Sequence, residues 1–317
     1  MDTFTPQFSF SVGYGTLSFV VYILTVCIIQ SNPSVFSGSF FTLYKASFLY
    51  NLITFANSFV SLRVPQNTCF NCSLAPFFKS HDVSSNFTFP LYAFYGTQIT
   101  MAYVQYAMTF LISLNRFTMF IWLNRNDANW KLITPIALIL VTFVPFLQTH
   151  GIFTNKSYYS YSEAIDGFVS FSEFELQPLL SVMVAFMTVS TTLSAILNLG
   201  SLFFLSQMAE KIKKADRTLL YVSVFSFCVE LFALIDTFLV KFHKEVPLWF
   251  SAIVLWIVPY SSDLITMNQP WVLILFSSAM KEQLKQMLGC SDSQQVRIVS
   301  VASRQSAISL QPTSNYA

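Results

Sequence analysis

The sequence predicts an all-α membrane protein: a bundle of seven transmembrane helices with the amino terminus outside and the carboxyl terminus in the cytoplasm. Hydrophobic residues make up 54% of the 317 residues and charged residues only 10%, whereas soluble domains contain about 25% charged residues. Seven apolar segments are long enough to cross a bilayer, which requires about 17 to 25 residues. Basic residues and glycosylation motifs are distributed unevenly between the intervening loops, which indicates the orientation.

The seven apolar segments follow one another along the first 278 residues. They span residues 8–30, 38–62, 91–123, 132–149, 178–206, 218–240 and 247–278. The third, fifth and seventh are longer than a bilayer requires, so we expect them to tilt or to project beyond the hydrocarbon. Pro135 and Pro145 interrupt the fourth segment, and Pro259 and Pro270 interrupt the seventh, which predicts bent helices. Residues 1–278 are therefore expected to form one transmembrane domain.

The basic residues favour one orientation of this bundle. With the amino terminus outside, eleven of the 17 lysines and arginines lie on the cytoplasmic side and five lie outside, while Lys45 remains within the second segment. Cytoplasmic loops of membrane proteins normally carry such an excess of positive charge. Asn71, Asn86 and Asn155 begin N-glycosylation motifs, and all three fall in loops that this orientation places outside. We therefore expect glycans at these asparagines.

The third segment carries a polar stripe that ends in an arginine. Gln98, Gln105, Thr109 and Arg116 are separated by seven, four and seven positions, so at roughly 100° per residue they fall within about 20° of one another on a helical wheel. Arg116 is the one charged residue between positions 83 and 124. A cation in hydrocarbon costs at least about 2.5 to 3.5 kcal/mol, so such residues usually face the interior of a bundle. The stripe is therefore expected to point inward.

Four polar residues within the segments are candidates for ligand binding. Gln98 and Gln105 lie on the outer half of the stripe, where a few hydrogen-bonding groups in an apolar cleft would orient a small molecule. Hydrogen bonding between helices by the same two amides is the alternative interpretation. Glu230 in the sixth segment and Asp263 near the middle of the seventh are also expected to face the interior, because ionisable side chains are costly in lipid.

The cysteines and the tail suggest two further features. Cys69 and Cys72 share the first outer loop, where a disulfide bridge and two free thiols are both open alternatives. We expect residues 279–317 to form a cytoplasmic tail, with a short amphipathic helix followed by a disordered Ser-rich segment. Cys290 directly follows this helix and is a candidate for palmitoylation, with an unmodified thiol as the alternative.

Three motifs resemble those of a known receptor family. They read Ser-Leu-Asn-Arg-Phe-Thr at residues 113–118, Ala-Asp-Arg-Thr-Leu at residues 215–219, where the sixth segment opens, and Asp-Leu-Ile-Thr-Met-Asn-Gln-Pro-Trp at residues 263–271. The chain resembles the nematode serpentine chemoreceptors of class gamma, the Srg family. This resemblance implies a G-protein-coupled chemosensory receptor in the plasma membrane of sensory neurons or their cilia. The implied partners are a small environmental or pheromone-like molecule, a heterotrimeric G protein, membrane lipid and a second receptor in a dimer, and no cofactor is implied.

The resemblance also implies roles for four residues on the cytoplasmic side. Arg116 and Asn115 in the first motif, with Asp216 and Arg217 in the second, would form the switch that couples the receptor to its G protein. In the wider receptor superfamily an acidic residue precedes the arginine, whereas here the preceding residue is Asn115. An ion pair between these neighbouring positions is therefore unavailable in this chain.

Two other membrane functions are alternatives to the receptor. A seven-helix small-molecule transporter would need two similar three-helix halves, and the first three and last three segments show no matching motifs. A seven-helix odorant-gated channel, as in insects, would have its amino terminus inside, contrary to the charge distribution.

An enzyme and a nucleic-acid-binding protein are not expected. The three histidines, His81, His150 and His243, lie far apart without metal-ligand spacing. The sequence contains no nucleophile elbow or phosphate-cradling loop. The formal net charge of +2 gives no basic patch that would bind nucleic acid.

Overall fold

Seven long helices account for most of the chain in a computed structural model, which describes residues 6–36, 38–84, 89–121, 126–163, 165–207, 210–242 and 247–289. In chain order the helices are α1 (Pro6–Ser31), α2 (Ser39–Ser58), α3 (Val64–Gln66), α4 (Ala75–Lys79), α5 (Leu91–Ile121), α6 (Asn126–Thr154), α7 (Leu176–Gln207), α8 (Glu210–Phe242), α9 (Leu248–Phe276) and α10 (Ser278–Met287). Two strands, β1 (Ser157–Ser162) and β2 (Gly167–Ser172), lie between α6 and α7. Each of the predicted apolar segments falls largely within one long helix.

Five of the described helices are long and apolar enough to cross a membrane by their length and composition. They are α1, α6, α7, α8 and α9. The prediction of a mostly helical, multi-pass membrane protein is therefore confirmed. The other two long helices, α2 and α5, bury polar side chains such as Asn51 and Gln105, which lower the mean hydropathy of these helices. The count of seven spans and the orientation of the termini stay predictions.

Two helix starts correct the sequence analysis. Helix α6 begins at Asn126 and α8 at Glu210, ahead of the predicted starts at residues 132 and 218, because polar residues such as Lys and Glu also favour helix. The motif at residues 215–219 therefore lies within α8 and does not open it. The four prolines lie inside α6 and α9, which continue through them, and the bends that the prolines predict stay a prediction. Membrane helices tolerate proline where neighbouring groups satisfy the freed carbonyls.

The segment after α2 remains helical but changes its hydrogen-bonding pattern. A π-helical turn, Phe59–Arg63, follows α2 directly and leads into α3. In the loop beyond α3, Cys69 and Cys72 form a disulfide bridge with their Cα atoms 5.2 Å apart. Of the two alternatives left open by the sequence, the structure therefore contains the bridge.

The loop after α6 folds into a β-hairpin, which the sequence analysis did not predict. Strands β1 and β2 are antiparallel, and Tyr159 lies opposite Ser170. The backbone N–H of Tyr159 donates to the carbonyl oxygen of His81 at 2.9 Å. The Phe78 ring packs against Tyr159 and Phe168, with ring centroids 4.8 and 5.2 Å apart. The hairpin is therefore joined to α4 and the residues that follow it, and this side of the bundle is called the hairpin end.

Helix α5 lies at the centre of the bundle, where it packs against α2, α6, α7 and α8. About three quarters of the way along it, a serine of α5 forms a hydrogen-bonded ring with two buried polar side chains of the neighbouring helices. Asn198 Nδ2 of α7 donates to Ser113 Oγ of α5 at 3.3 Å, and Ser223 Oγ of α8 donates to Asn198 Oδ1 at 2.7 Å. The two serine oxygens lie 3.3 Å apart. This polar ring therefore joins three helices in the interior.

Candidate functional site

A cavity of about 820 Å³ lies beneath the hairpin, between α5, α7, α8 and α9. Its walls are mainly apolar, with contributions from Ile99, Leu180 and Leu255. Five aromatic side chains also line it: Tyr95, Tyr106, Tyr158, Phe171 and Phe174. A volume of this size is typical of sites for small organic molecules, which occupy about 300 to 1,000 Å³.

The two predicted glutamines of α5 both line this cavity. The side-chain oxygen of Gln98 accepts hydrogen bonds from Asn57 at 3.1 Å and Ser61 at 3.3 Å. The side-chain nitrogen of Gln105 instead donates to Asn51 at 3.3 Å and to Thr54 at 3.4 Å. Each amide is thus fixed at one end by a neighbouring helix. These bonds leave the NH₂ group of Gln98 and the side-chain oxygen of Gln105 for other partners. The two interpretations of these glutamines are therefore compatible.

The predicted acidic residues Glu230 and Asp263 are not among the side chains that line the cavity. Asp263 forms an ion pair with Arg63 and accepts a hydrogen bond from the Tyr14 hydroxyl. Arg63 is only 1% exposed, and its guanidinium carbon lies 4.7 Å from the centroid of the Phe55 ring. Arg63 directly follows the second predicted segment and is one of the five basic residues counted outside. The structure corrects this assignment, because the π-helical turn carries Arg63 into the bundle.

Glu230 lies deeper in α8 than the cavity, with 3% of its surface exposed. Within the described part of the chain, its two carboxylate oxygens have no hydrogen-bond partner. The hydroxyl of Tyr106, a residue that lines the cavity, donates to the backbone oxygen of Glu230 at 3.0 Å. The carboxylate therefore faces the interior, as predicted for an ionisable residue in a membrane helix.

Asp236 is a cavity residue that the sequence analysis did not select. It lies on α8, is 6% exposed and accepts a hydrogen bond from the hydroxyl of Ser261 on α9. Its charge within an apolar segment was the signal that could have identified it. Asp236 follows Glu230 by six residues and so lies about 120° from it around the helix, which is why the inward face of Glu230 did not point to it.

The opposite end of the bundle, the α10 end, contains the Arg116 motif. Arg116 is 5% exposed, and its guanidinium carbon lies 4.3 Å from the centroid of the Phe40 ring. Asn115 Nδ2 donates to Ser39 Oγ at 2.7 Å. Both motif residues thus pack against the first turn of α2. Arg116 faces the interior, as the polar stripe of α5 predicts.

The other predicted site residues are only partly described. Asp216 and Arg217 fall within α8, but their side chains lie outside the described part of the structure. Asn71 is exposed, between the two bridged cysteines, whereas Asn155 is partly buried and donates from Nδ2 to the Gly151 oxygen at 2.7 Å. Asn86 and Cys290 lie outside the described residues. Among the residues that are described, no group of three or more His, Cys, Asp and Glu side chains could hold a metal ion.

Comparison with known proteins identifies the family. The model of the Srg family chemoreceptors matches residues 8–284, from α1 into α10. Serpentine receptor class gamma-31 of Caenorhabditis elegans is 29% identical over 277 residues, which cover 86% of this chain and 89% of that protein. The matched region contains the cavity and the Arg116 motif, and it confirms the resemblance found in the sequence. The chain therefore belongs to the Srg family of serpentine chemoreceptors.

Proposed function

We propose that this receptor binds a small molecule in the cavity beneath the hairpin and signals through a heterotrimeric G protein. The cavity is the observation on which the proposal depends. At about 820 Å³ it has the size of a small-molecule site. Its apolar walls and the two oriented amides of Gln98 and Gln105 match the composition of such sites, in which a few polar groups fix the orientation of the ligand.

The proposed topology has seven spans, with the amino terminus outside and the tail of residues 279–317 in the cytoplasm. The distribution of lysines and arginines supports this orientation. Ser11, near the start of α1, accepts a hydrogen bond from Arg63 at 3.2 Å and so belongs to the hairpin end. An outer amino terminus therefore places the cavity on the outside, where a chemosensory receptor in the plasma membrane of a neuron meets its ligand.

Coupling to the G protein is proposed to occur at the α10 end. A ligand that binds two arrangements of the helices with different affinity shifts the population between them. The shift would separate the inner ends of the helices and expose Arg116, which in the described arrangement is buried against Phe40. Asn115 lies beside Arg116 in the same motif, and Asp216 and Arg217 belong to the inner part of α8, so these residues would complete the coupling surface. Binding and coupling are thereby assigned to opposite ends of one bundle.

A screen of small environmental molecules tests this function in cells that express the full chain with a G-protein or calcium reporter. Once an active compound is found, Gln98→Leu and Gln105→Leu should each raise its half-maximal concentration by about threefold to tenfold, as expected for the loss of one net hydrogen bond. Gln148→Leu is the matched control, because Gln148 is an exposed residue of α6 outside the cavity.

Surface abundance, measured in parallel, should be similar for the parent and all three variants. If Gln98→Leu and Gln105→Leu respond to the compound at the parent concentration, the cavity is not its binding site. If cells that express the protein take up a compound across the membrane but give no reporter signal, the protein is a transporter and not a receptor.

A further inference from the structure

The charged side chains of the cavity wall, as far as it is described, are acidic. Asp236 lines its wall, whereas no lysine, arginine or histidine is found among the described residues that line it. A second acidic residue, Glu230, precedes Asp236 by six residues of α8, and the hydroxyl of the cavity residue Tyr106 donates to its backbone oxygen. A negative charge on Asp236 is therefore not balanced by any basic side chain of the described lining.

The two buried aspartates differ in how the protein neutralises them. Asp263 has an internal cation, since Arg63 forms an ion pair with it. Asp236 receives a hydrogen bond from the neutral hydroxyl of Ser261. A carboxylate inside a membrane protein normally pairs with another group or faces a water-filled cavity. Asp236 lines the cavity, so the counter-charge that Arg63 supplies to Asp263 can come to Asp236 from a bound molecule.

The surroundings of Asp236 suit a cation. Tyr95, Tyr106 and Tyr158 line the same cavity, and aromatic faces attract ammonium groups. Gln105 adds a carbonyl oxygen, because its nitrogen is already bonded to Asn51 and Thr54. Carboxylate, carbonyl and aromatic groups all bind an N–H donor with positive charge.

We propose that the ligand of this receptor is a small organic amine, whose ammonium group forms an ion pair with Asp236 while Ser261 holds the carboxylate in place. This proposal rests on the proposed function, and it specifies the chemical class of the ligand. Asp236 lies six residues before the end of α8 at Phe242, which corresponds to about 9 Å along the helix axis. The apolar part of the amine would fill the space between this depth and the hairpin.

The test uses the purified full-length receptor and matched sets of three compounds. Each set shares one skeleton and carries an amine, an alcohol or a carboxylate, as in 2-phenylethylamine, 2-phenylethanol and phenylacetate. The measured quantity is the shift in the thermal unfolding midpoint of the receptor as each compound is titrated. We expect amines from one or more sets to stabilise the parent receptor more strongly than the alcohol and the carboxylate of the same set.

Three variants then locate the charge recognition. Asp236→Asn keeps the shape of the side chain but removes the charge, so it should weaken binding of the amine by about tenfold to hundredfold and leave binding of the alcohol within about twofold. Ser261→Ala should weaken the amine by a smaller factor. Asp166→Asn is the charge-matched control, because Asp166 is exposed in the hairpin turn and does not line the cavity. It should bind the amine like the parent.

The outcomes separate this proposal from the proposed function. Failure of every amine to stabilise the parent overturns the assignment of an amine. Equal loss of amine and alcohol in Asp236→Asn also overturns it, because Asp236 would then only maintain the structure. If alcohols or carboxylates stabilise the receptor and Gln98→Leu abolishes the effect, the cavity remains a ligand site and only the amine is excluded. If no compound stabilises the receptor and the cellular screen is also silent, the proposed function fails as well.

Discussion

Arg63 and Asp263 form a buried ion pair, although they are 200 residues apart in the sequence. The pair joins the π-helical turn after α2 to the middle of α9, and the Phe55 and Phe59 rings flank the guanidinium group at 4.7 and 5.0 Å. Removal of one partner from such a pair leaves an uncompensated charge, which costs about 3 to 5 kcal/mol. The pair is therefore expected to hold α9 in register with α2.

A double-mutant cycle tests this ion pair. Arg63→Met and Asp263→Leu should each lower the thermal unfolding midpoint and the surface abundance, whereas the double variant should recover most of the loss, because apolar side chains can replace a buried pair. Lys131→Met is the control for removal of a cation, since Lys131 is exposed. Strictly additive losses in the double variant would show that the two residues stabilise the bundle independently.

Arg116 is expected to serve coupling more than stability. Arg116→Ala should bind ligand like the parent but activate the G protein weakly at matched surface level, and Arg116→Lys should be a partial substitute, because lysine lacks the planar five-donor fork. Phe40→Leu removes the ring that lies 4.3 Å from the guanidinium carbon and should cost about 0.5 to 2 kcal/mol of stability while activation is retained. Normal activation by Arg116→Ala would exclude the coupling role.

Gly167 sets the position of the hairpin above the cavity. A Cβ atom at this residue would lie 2.4 Å from the backbone oxygen of Gln66, which itself lines the cavity. Gly167→Ala must therefore displace β2, with a cost of about 1 to 3 kcal/mol, and the half-maximal ligand concentration should rise. Gly13→Ala is the control, because nothing lies within 4 Å of a Cβ atom there. Parental dose response in both variants would show that the hairpin does not shape the binding site.

Glycosylation should be more complete at Asn71 than at Asn155. Asn71 is exposed, whereas the Asn155 amide is partly buried and already donates to the Gly151 oxygen at 2.7 Å. Glycosidase treatment should increase the gel mobility of the parent, and Asn71→Gln should reduce this change more than Asn155→Gln. The variant with Gln at positions 71, 86 and 155 should not respond. A larger effect of Asn155→Gln would contradict this order.

The orientation of the termini can be measured directly on intact cells. An epitope fused at the amino terminus should bind antibody without permeabilisation, and one fused after Ala317 should bind only after it, because the basic residues favour a cytoplasmic tail. Staining of the carboxyl-terminal epitope on intact cells would reject both the orientation and the proposed coupling at the α10 end.

The long helices were predictable because the bilayer imposes both their length and their composition. The inward stripe of α5 was predictable for a related reason: a polar group that recurs with the helical period must face one side, and Gln105, Thr109 and Arg116 are all buried there. The ends of the helices were less predictable, because helix α8 continues for two turns through residues that are too polar to count as apolar. Apolar runs thus locate helices better than they locate their ends.

The features that could not be predicted from the sequence depend on contacts between distant parts of the chain. The sequence shows no partner for Asp263, since Arg63 comes into reach only through a π-helical turn that has no clear sequence signal. Asp236 lies on a face of α8 without a second polar residue at helical spacing. The hairpin strands alternate tyrosine, phenylalanine and serine, so their pattern is weaker than that of a strand with one apolar face. The sequence alone therefore does not reveal sites that are formed by contacts between distant residues.

The polar ring of Ser113, Asn198 and Ser223 has a consequence for movement within the bundle. Each hydroxyl can both donate and accept a hydrogen bond, whereas the amide nitrogen only donates and the amide oxygen only accepts. The two serines can therefore reverse the direction of the bond between them, or exchange it for a backbone oxygen of their own helix, by rotation about one torsion angle. The Ser223 hydroxyl has one hydrogen, so this reversal takes from the Asn198 oxygen the bond that it now accepts. A sliding of α8 against α5 would therefore lead to a second internal state that differs from the first by one hydrogen bond of Asn198.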